Sequence, residues 1–481
     1  MNARAVEVRS LRRVLGPWSV VAFGVTNQIA AGLFFVSTQI QQTVPGIGDF
    51  VPWLMLGGGV ITLLTVLAYR YFFTRGIIGA GGEYLMLRDT LGVRWGFLAT
   101  LLALFGTTGS LGTLAYISTR FLSNACASAG WNGAAALLAS APGAMVCGLV
   151  LLWTIWIVHV RGIKFAAVLT VASMMFVLAV ALTVTAYGFA TTPAHFAQAV
   201  ATRLHLSLDA LVAQGQPAHV NLLAAVASAL PILFYSYLGL SAATQTGDEA
   251  VDARRSLSRG VLVAVVLVTC VYTVFAFAVY HAIPWQAVAA LGQRGLTTYT
   301  TSTGLIGLTM PRWLASLMNV FVAVVVIKTF LPIFLTHSRW IYAWASDGII
   351  PARFASTHMR FGTPVVGLTI SALLGSVSLA ESVELGYVFG VSLRVLSAMI
   401  VFFLIGAALL RVRKTALGLA LMAFSSWFSI ALVYGARTQL LLLQPAVQAI
   451  LVAIIGVLIL RWAERRRVPA AAAVDTAHPY I

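Results

Sequence analysis

The stretch that decides the fold is PWSVVAFGVTNQIAAGLFFVSTQIQQT, residues 17–43. It contains no charged residue and is longer than the roughly 20 residues that a helix needs to cross a bilayer. Asn27 and Gln28 nevertheless lie near its middle and are followed by small residues at 30–32. Because polar side chains are costly in lipid, the stretch predicts a membrane span that is interrupted at mid-depth. The small residues could instead simply allow close helix packing.

Apolar blocks of this length recur along the chain. Hydrophobic residues make up 60% of the sequence and charged residues only 9%, against about 25% charged residues in a soluble domain. We predict twelve spans, at about residues 17–43, 51–73, 94–123, 136–159, 163–190, 221–246, 257–282, 312–345, 364–380, 385–410, 415–437 and 441–462. Since every backbone polar group must be satisfied inside lipid, the predicted fold class is an all-α polytopic membrane protein.

The basic residues predict the orientation in the membrane. With both termini placed in the cytoplasm, 23 of the 30 Lys and Arg residues lie inside and four lie outside. This asymmetry follows the positive-inside rule and predicts a multi-pass protein of the cell inner membrane with both termini cytoplasmic. The formal net charge of +17 therefore belongs to loops that face the cytoplasm, and no nucleic-acid partner is expected.

The sixth span carries a second candidate interruption. Pro231 precedes FYSYLG at 234–239, and a proline inside a helix removes one backbone hydrogen bond. An ordinary proline-kinked helix is the alternative. If spans one to five and six to ten form an inverted pair of repeats, the two interruptions occupy corresponding positions. Such paired interruptions indicate a transporter binding site near the membrane midplane.

One loop has a pattern that few proteins share. The segment SRWIYAWASDGIIPARF at 338–354, followed by TP at 363–364, resembles the signature loop after the eighth helix of amino acid–polyamine–organocation permeases. AGGEY at 80–84 and IAAGLF at 29–34 resemble that family's motifs at the start of the third helix and in the break of the first. The segment after Gly239 is similar to the family pattern as well, and the resemblance extends over about residues 15–460.

The resemblance implies a leucine-transporter-like fold, with ten core helices in two inverted five-helix repeats and two peripheral helices. The implied segments are a cytoplasmic N-terminal segment (1–14), the first repeat (15–190), a periplasmic connection (191–220), the second repeat (221–410), the peripheral spans (415–462) and a disordered cytoplasmic tail (463–481).

In this family the carboxylate and amino group of the substrate meet the unwound backbone of the first and sixth helices. Carried over with the flanking positions, the expected substrate-binding residues are Gln28, Ala30, Ala31, Gly32, Tyr235, Ser236, Tyr237, Leu238 and Gly239. Tyr235 takes the place of the family's gating aromatic residue. Ala30 stands where the family has glycine, and its methyl group narrows the space beside a carboxylate.

Two cations lie deep within predicted spans, Lys328 in the eighth and Arg394 in the tenth. Lys328 precedes Arg339 by three helical turns, so it lies about 16 Å above the cytoplasmic end and close to the midplane. Arg394 lies higher, in the outer half. Because charges inside a membrane are rare and usually functional, both are predicted to contact substrate, and Lys328 is also predicted to act in coupling.

Lys328 has two candidate roles. Its ammonium group could occupy the place where sodium-coupled relatives of the resembled fold hold a cation between helices one and eight, and there load and release a proton. Alternatively, Lys328 together with Arg394 could attract a substrate of extra negative charge. We find no acidic residue clearly placed at mid-depth, which argues against polyamines and other strongly cationic substrates.

The expected function is secondary active transport by alternating access. The expected substrates are amino acids or small organic anions, neutral or anionic, moved without sodium and either with protons or by exchange. A polyamine or organocation permease or an exporter is the alternative, and a permease-like nutrient sensor is the alternative outside transport. No cofactor motif, metal-ligand spacing or catalytic grouping is found in the sequence, so no enzyme is expected. The expected partners are the substrate and the lipid bilayer, and a homo-oligomer is left open.

Overall fold

The computed structural model describes residues 11–30, 32–296, 299, 301–385, 391–437 and 439–475. Throughout these ranges the regular elements are helices, and the only β-type pairing is an isolated bridge between Leu15 and Ala250. A helix satisfies its backbone groups within one segment, as lipid requires. The predicted all-α polytopic fold is confirmed.

Twelve helical segments of the described chain are long and apolar enough to cross a membrane. In order they are Pro17–Thr43, Pro45–Thr74, Val93–Ala127, Ala141–Val160, Ile163–Ala190, Leu222–Thr244, Ala253–Ala282, Arg312–Ser346, Val365–Leu385, Leu393–Arg411, Thr415–Gly435 and Pro445–Arg466. Each predicted span overlaps one of these segments, so the predicted number of spans is confirmed.

The fourth and ninth spans have limits that differ from the predicted ones for reasons visible in the structure. The Ser140 hydroxyl accepts a hydrogen bond from the Gly143 backbone N–H, and a side-chain cap of this kind starts a helix. The fourth span therefore begins at Ala141 rather than near residue 136. The ninth span continues beyond its predicted end through a π-helical turn, Glu381–Leu385.

Short helices fill the connections between spans. They are Glu83–Leu91, Asn132–Ala139, Pro193–Leu204, Leu208–Gly215, Trp285–Gln293 and Ser302–Gly307. The first of them leads into the third span and contributes to the site described below.

The tail that was predicted to be disordered from residue 463 is helical over its described part. The last helix extends from Pro445 to Asp475, and residues 476–481 lie outside the described residues. The helix passes through four consecutive alanines at 470–473, and alanine has the highest helix propensity of all residues. The prediction of disorder was therefore wrong for residues 463–475.

The spans differ in how deeply they are buried within the protein. In the apolar windows of the first, third, eighth and tenth spans, 76%, 78%, 67% and 61% of residues are buried. The corresponding shares in the eleventh and twelfth spans are 22% and 28%. The first, third, eighth and tenth spans therefore form the centre of the bundle, and the eleventh and twelfth lie at its periphery. The grouping of the first ten spans into inverted repeats stays a prediction.

Candidate functional site

The first span is interrupted where the sequence predicts it. Its first helix ends at Gln28, Ile29 has non-helical backbone angles, and the chain resumes as a π-helical turn, Gly32–Val36, before the helix Ser37–Thr43. The predicted site residue Ala31 lies outside the described residues. The interruption leaves backbone groups of the preceding turn without helical partners.

The sixth span is interrupted as well. The helix Leu222–Phe234 gives way to a 3₁₀ turn, Tyr235–Tyr237, and Leu238 is extended. Gly239 has a φ of +120°, in the region that favours glycine, and a Cβ there would lie 2.8 Å from Asn27 Cγ. The alternative of a merely kinked helix is therefore wrong, because the chain leaves the helical conformation at this point.

The two interruptions face each other and are joined by side-chain hydrogen bonds. Asn27 Nδ2 donates to the Gly239 carbonyl at 2.9 Å, and Gln28 Nε2 donates to the Tyr237 carbonyl at 2.8 Å. Both acceptors lie at the interruption of the sixth span, and the Gly239 carbonyl also accepts a hydrogen bond from the Ala242 N–H at 3.2 Å. The polar pair that predicted the first interruption thus serves to bind the second one.

A second contact between the interruptions depends on close backbone approach. A Cβ built on Gly32 would lie 2.5 Å from Ser236 Oγ and 3.0 Å from Ser236 Cα. Only a residue without a side chain fits this contact without displacement of its neighbour. Gly32 and Ser236, two of the predicted site residues, are therefore brought together.

Lys328 reaches into the interruption of the first span from the eighth. Its side chain is 4% exposed, and Nζ donates to the carbonyl oxygens of Thr26 at 2.5 Å and Ile29 at 2.6 Å. These carbonyls belong to the end of a helix, where the helix dipole favours a positive charge. The ammonium group therefore occupies a place lined by carbonyl oxygens between the first and eighth spans.

A cavity lies beside the interruptions, and Arg394 borders it. The Arg394 side chain is 6% exposed, and its guanidinium lies over the Tyr235 ring, 5.2 Å from the centroid. Polar residues of the cavity wall include Asn27, Thr62, Thr65, Tyr69, Glu83, Thr100, Thr107, Ser241, Thr336, Trp340, Arg394 and Ser397.

The structure brings only part of the predicted site into the cavity wall. Tyr237, Leu238, Gly239 and Arg394 border the cavity. The other described candidates lie outside its wall, namely Gln28, Ala30, Gly32, Tyr235, Ser236 and Lys328. The interruptions therefore shape the cavity, while several of their residues contact each other instead.

Unpaired polar atoms are concentrated in this cavity. Ten buried side-chain atoms of the described residues have no hydrogen-bond partner, and four of the ten belong to residues of the cavity wall. These four are Asn27 Oδ1, Thr65 Oγ1, Trp340 Nε1 and Arg394 Nη1. Folded proteins leave few buried polar atoms unpaired, so their concentration indicates a ligand site. The set combines acceptors with donors, which suits a molecule that carries both kinds of group.

Glu83 is a cavity residue that the sequence argument missed. Glu83 had no predicted role in the site, yet its side chain is 2% exposed and the residue borders the cavity. The AGGEY segment that contains Glu83 predicted only a motif at the start of the third helix, and it gave no indication of a cavity residue. Depth counted along straight helices cannot reveal that this segment folds inward through Gly81 and Gly82, which have φ values of +122° and +48°.

The segments that carry the family resemblance contact each other next to Glu83 in the chain. Tyr84 donates its hydroxyl hydrogen bond to Asp347 Oδ2 at 2.5 Å, and Arg88 Nη1 contacts the same carboxylate at 3.2 Å. Arg339 forms a buried ion pair with Glu249. Burial raises the pKa of Glu249, and the neighbouring guanidinium offsets part of that rise. The signature loop therefore contacts both the short helix Glu83–Leu91 before the third span and the segment after the sixth span.

This architecture defines a class of protein. Twelve spans with two facing interruptions around a polar cavity are the arrangement of a membrane transporter. The sequence profile described as "Amino acid permease" matches residues 15–463, and the chain belongs to this family. The resemblance to amino acid–polyamine–organocation permeases is confirmed, and the chain is a multi-pass transporter rather than an enzyme.

Several curated proteins are similar to the chain. An uncharacterized transporter of Mycobacterium tuberculosis is 26% identical over 386 residues, which cover 78% of this chain and 76% of that protein. The branched-chain amino acid permease of Bacillus subtilis is 25% identical over 194 residues, 39% of this chain and 38% of that protein. The human Asc-type amino acid transporter 1 is 24% identical over 383 residues, 76% of this chain and 65% of that protein.

Proposed function

We propose that this transporter moves amino acids or related small carboxylate-bearing solutes by alternating access, through the cavity beside the two interruptions. The observation that carries the proposal is the group of four unpaired polar atoms there. Asn27 Oδ1 can accept a hydrogen bond from an ammonium group, and Arg394 Nη1 can donate one to a carboxylate. Relatives named as a branched-chain amino acid permease and as an Asc-type amino acid transporter support the same class of substrate.

Arg394 favours neutral or anionic substrates. Its guanidinium is permanently charged. The residue borders the cavity, and its Nη1 has no hydrogen-bond partner among the described residues. A carboxylate would neutralise this buried charge, whereas a purely cationic solute would be repelled by it.

Lys328 favours transport that does not need sodium. Its ammonium group contacts two backbone carbonyl oxygens, and carbonyl oxygens are ligands that a sodium ion would also take. A fixed cation in that place makes a sodium ion superfluous. The remaining mechanisms are proton coupling and exchange, and Lys328 is the proposed coupling residue.

A cationic substrate is the second candidate, because Glu83 borders the same cavity. A buried carboxylate could pair with an ammonium group of a polyamine or a basic amino acid. Relatives named as cationic amino acid transporters, such as human cationic amino acid transporter 4 at 22% identity, agree with this candidate. Arg394 argues against it.

The proposed setting is the cell inner membrane, with both termini in the cytoplasm. The proposal is supported by the distribution of basic residues between the loops. In this orientation the loop before the third span and the signature loop both face the cytoplasm.

Uptake into proteoliposomes tests the function. The purified protein would be assayed with radiolabelled L-leucine, L-glutamate, L-lysine, succinate and putrescine, with proton gradients, with sodium gradients and with substrate inside. We expect saturable uptake of leucine or glutamate that is independent of sodium. Uptake restricted to lysine and putrescine would establish the second candidate, and sodium-dependent uptake would contradict the role of Lys328.

A further inference from the structure

Glu83 combines deep burial with access to the cavity. Its carboxyl group precedes the third span, which begins at Val93, and its side chain is 2% exposed. It also borders the central cavity. A buried carboxyl group beside a cavity can exchange a proton with water that enters that cavity.

The contacts of this carboxyl group are all neutral hydrogen-bond donors. Tyr69 Oη donates to Oε1 at 2.9 Å, while Gln245 Nε2 and Thr244 Oγ1 donate to Oε2 at 3.1 and 3.4 Å. No lysine or arginine of the described residues forms an ion pair with it. Burial raises the pKa of Glu83, and the three hydrogen bonds offset part of that rise.

The other charged groups of the surrounding elements are engaged elsewhere. Arg394 borders the cavity from the tenth span and lies over an aromatic ring. Asp248 accepts a hydrogen bond from the Ala80 N–H, and Arg339 pairs with Glu249. Asp347 accepts hydrogen bonds from the Tyr84 hydroxyl and from Arg88. Of the two buried carboxyl groups of this region, Glu83 and Glu249, Glu249 pairs with Arg339 and Glu83 has only neutral hydrogen-bond donors, while Asp248 is only partly buried.

Glu83 is joined directly to the second half of the sixth span. Thr244 ends the short helix Ser241–Thr244 that follows the interruption, and Gln245 comes next. Gln245 Oε1 accepts a hydrogen bond from the Gly81 N–H at 3.1 Å, so its Nε2 faces Glu83. The segment before the third span thus contacts the second part of the interrupted sixth span through one carboxyl group.

Proton binding disturbs this arrangement for a chemical reason. A carboxylate accepts stronger hydrogen bonds than a neutral carboxyl group does. A proton on Oε2 can be donated to Thr244 Oγ1, whose own hydrogen goes to the Ser241 carbonyl at 2.7 Å, but an amide nitrogen such as Gln245 Nε2 cannot accept it. Proton binding therefore weakens the hydrogen bond that Gln245 donates, and the amide cannot turn round without loss of its bond to Gly81.

We propose that Glu83 binds and releases a proton during transport, and that proton binding frees the second half of the sixth span from the loop before the third. The proton moves between cavity water and a carboxylate oxygen, and no other covalent bond changes. Lys328 then supplies a fixed charge, and Glu83 supplies the proton that moves. This inference rests on the proposed transport function.

Infrared titration of the purified protein tests proton binding without any substrate. Between about pH 9 and pH 4, the wild type is expected to gain the C=O band of a buried protonated carboxyl group, with a midpoint above the ordinary range of glutamate near 4.3. Glu83→Gln should lack this band, and Asp209→Asn, which removes an exposed carboxylate, should keep it. A wild type without the band, or an unchanged band in Glu83→Gln, would overturn the proposal.

Proteoliposomes with an internal pH dye test whether the proton moves with substrate. With L-leucine and L-glutamate as probes, wild-type uptake should acidify the lumen, and the number of protons taken up per substrate molecule should fall at least tenfold in Glu83→Gln. Normal acidification by Glu83→Gln would overturn the coupling role. Absence of all amino acid uptake by the wild type would instead defeat the proposed function, and the infrared result would still stand.

Tyr69→Phe provides a second variant in case Glu83→Gln fails to fold. Removal of one donor to the carboxylate disfavours its charged form, so the midpoint of the infrared band should move upward by about one pH unit. A midpoint that stays in place would show that the titrating group is not Glu83.

Discussion

Lys328 and Arg394 are both cations buried in the membrane-spanning part, but their surroundings differ in kind. Nζ of Lys328 is held by the carbonyl oxygens of Thr26 and Ile29 and lies outside the cavity wall. Arg394 borders the cavity, and its Nη1 has no hydrogen-bond partner among the described residues. Backbone carbonyl oxygens hold the Lys328 ammonium group inside the first interruption, whereas an unpaired donor on a residue of the cavity wall is available to a ligand. Lys328 and Arg394 therefore have different proposed roles although they carry the same charge.

The largest effect is expected for Lys328→Ala. The substitution leaves two carbonyl oxygens buried without a donor, and each hydrogen bond to a charged group contributes about 1.5–3 kcal/mol. Coupled uptake into proteoliposomes should therefore fall at least about 100-fold. Lys164→Ala, at an exposed lysine, is the matched control and should transport normally. Normal uptake by Lys328→Ala would reduce Lys328 to a structural residue.

Arg394→Gln should weaken binding without preventing folding, because Nη1 has no protein partner to lose. Loss of a charge-assisted hydrogen bond to a substrate carboxylate should raise KM by about 10- to 100-fold. The measurement is the concentration dependence of leucine and glutamate uptake. Arg120→Gln removes an arginine whose side chain is exposed and should leave KM within about twofold. Equal KM values for both variants would remove Arg394 from the site.

Gly32→Ala tests whether the region around Lys328 depends on contact between the two interruptions. The added methyl group would lie 2.5 Å from Ser236 Oγ, so one of the interrupted helices must shift. We expect uptake to fall about tenfold, equivalent to about 1.4 kcal/mol. Gly57→Ala is the control, because a Cβ there meets no atom within 4 Å. Similar uptake by the two variants would show that the close approach is not required.

Tyr272→Phe should have the smallest effect of the four. The Tyr272 hydroxyl donates to the Gln28 carbonyl at 2.6 Å and also contacts the Ser236 carbonyl at 3.1 Å, so it bridges both interruptions. Loss of about 1 kcal/mol corresponds to about a fivefold fall in uptake. Tyr434→Phe, at an exposed ring, should leave uptake unchanged. A fall as large as that of Lys328→Ala would contradict the ranking.

Some parts of the fold follow from the sequence because the physics behind them is local. Apolar length predicted twelve spans, since a bilayer requires about 20 residues in each crossing helix. Polar and small residues in the middle of a span predicted both interruptions, because Asn27 and Gln28 are costly in lipid unless they are paired. The structure supplies those pairs, at the Gly239 and Tyr237 carbonyls.

Other parts could not be predicted because they depend on contacts far apart in the chain. Glu83 lies inside the protein only because two glycines turn its segment inward and Tyr69, Thr244 and Gln245 surround its carboxyl group. The sequence identified this segment only as the start of the third helix. The helical tail to Asp475 was missed for a different reason, since a short apolar and basic segment has no distinct pattern that separates helix from disorder.

The sequence by itself determined the number of spans, the interruptions at residues 27–32 and 234–239, and the depth of Lys328, because each depends on hydrophobicity and position along one helix. Tertiary structure alone decided which cation is paired and which has a free donor. Partners for Lys328 and Arg394 come from separate spans, and no pattern within one span specifies them. The burial of Glu83 beside the cavity was decided in the same way, by packing between segments more than 100 residues apart.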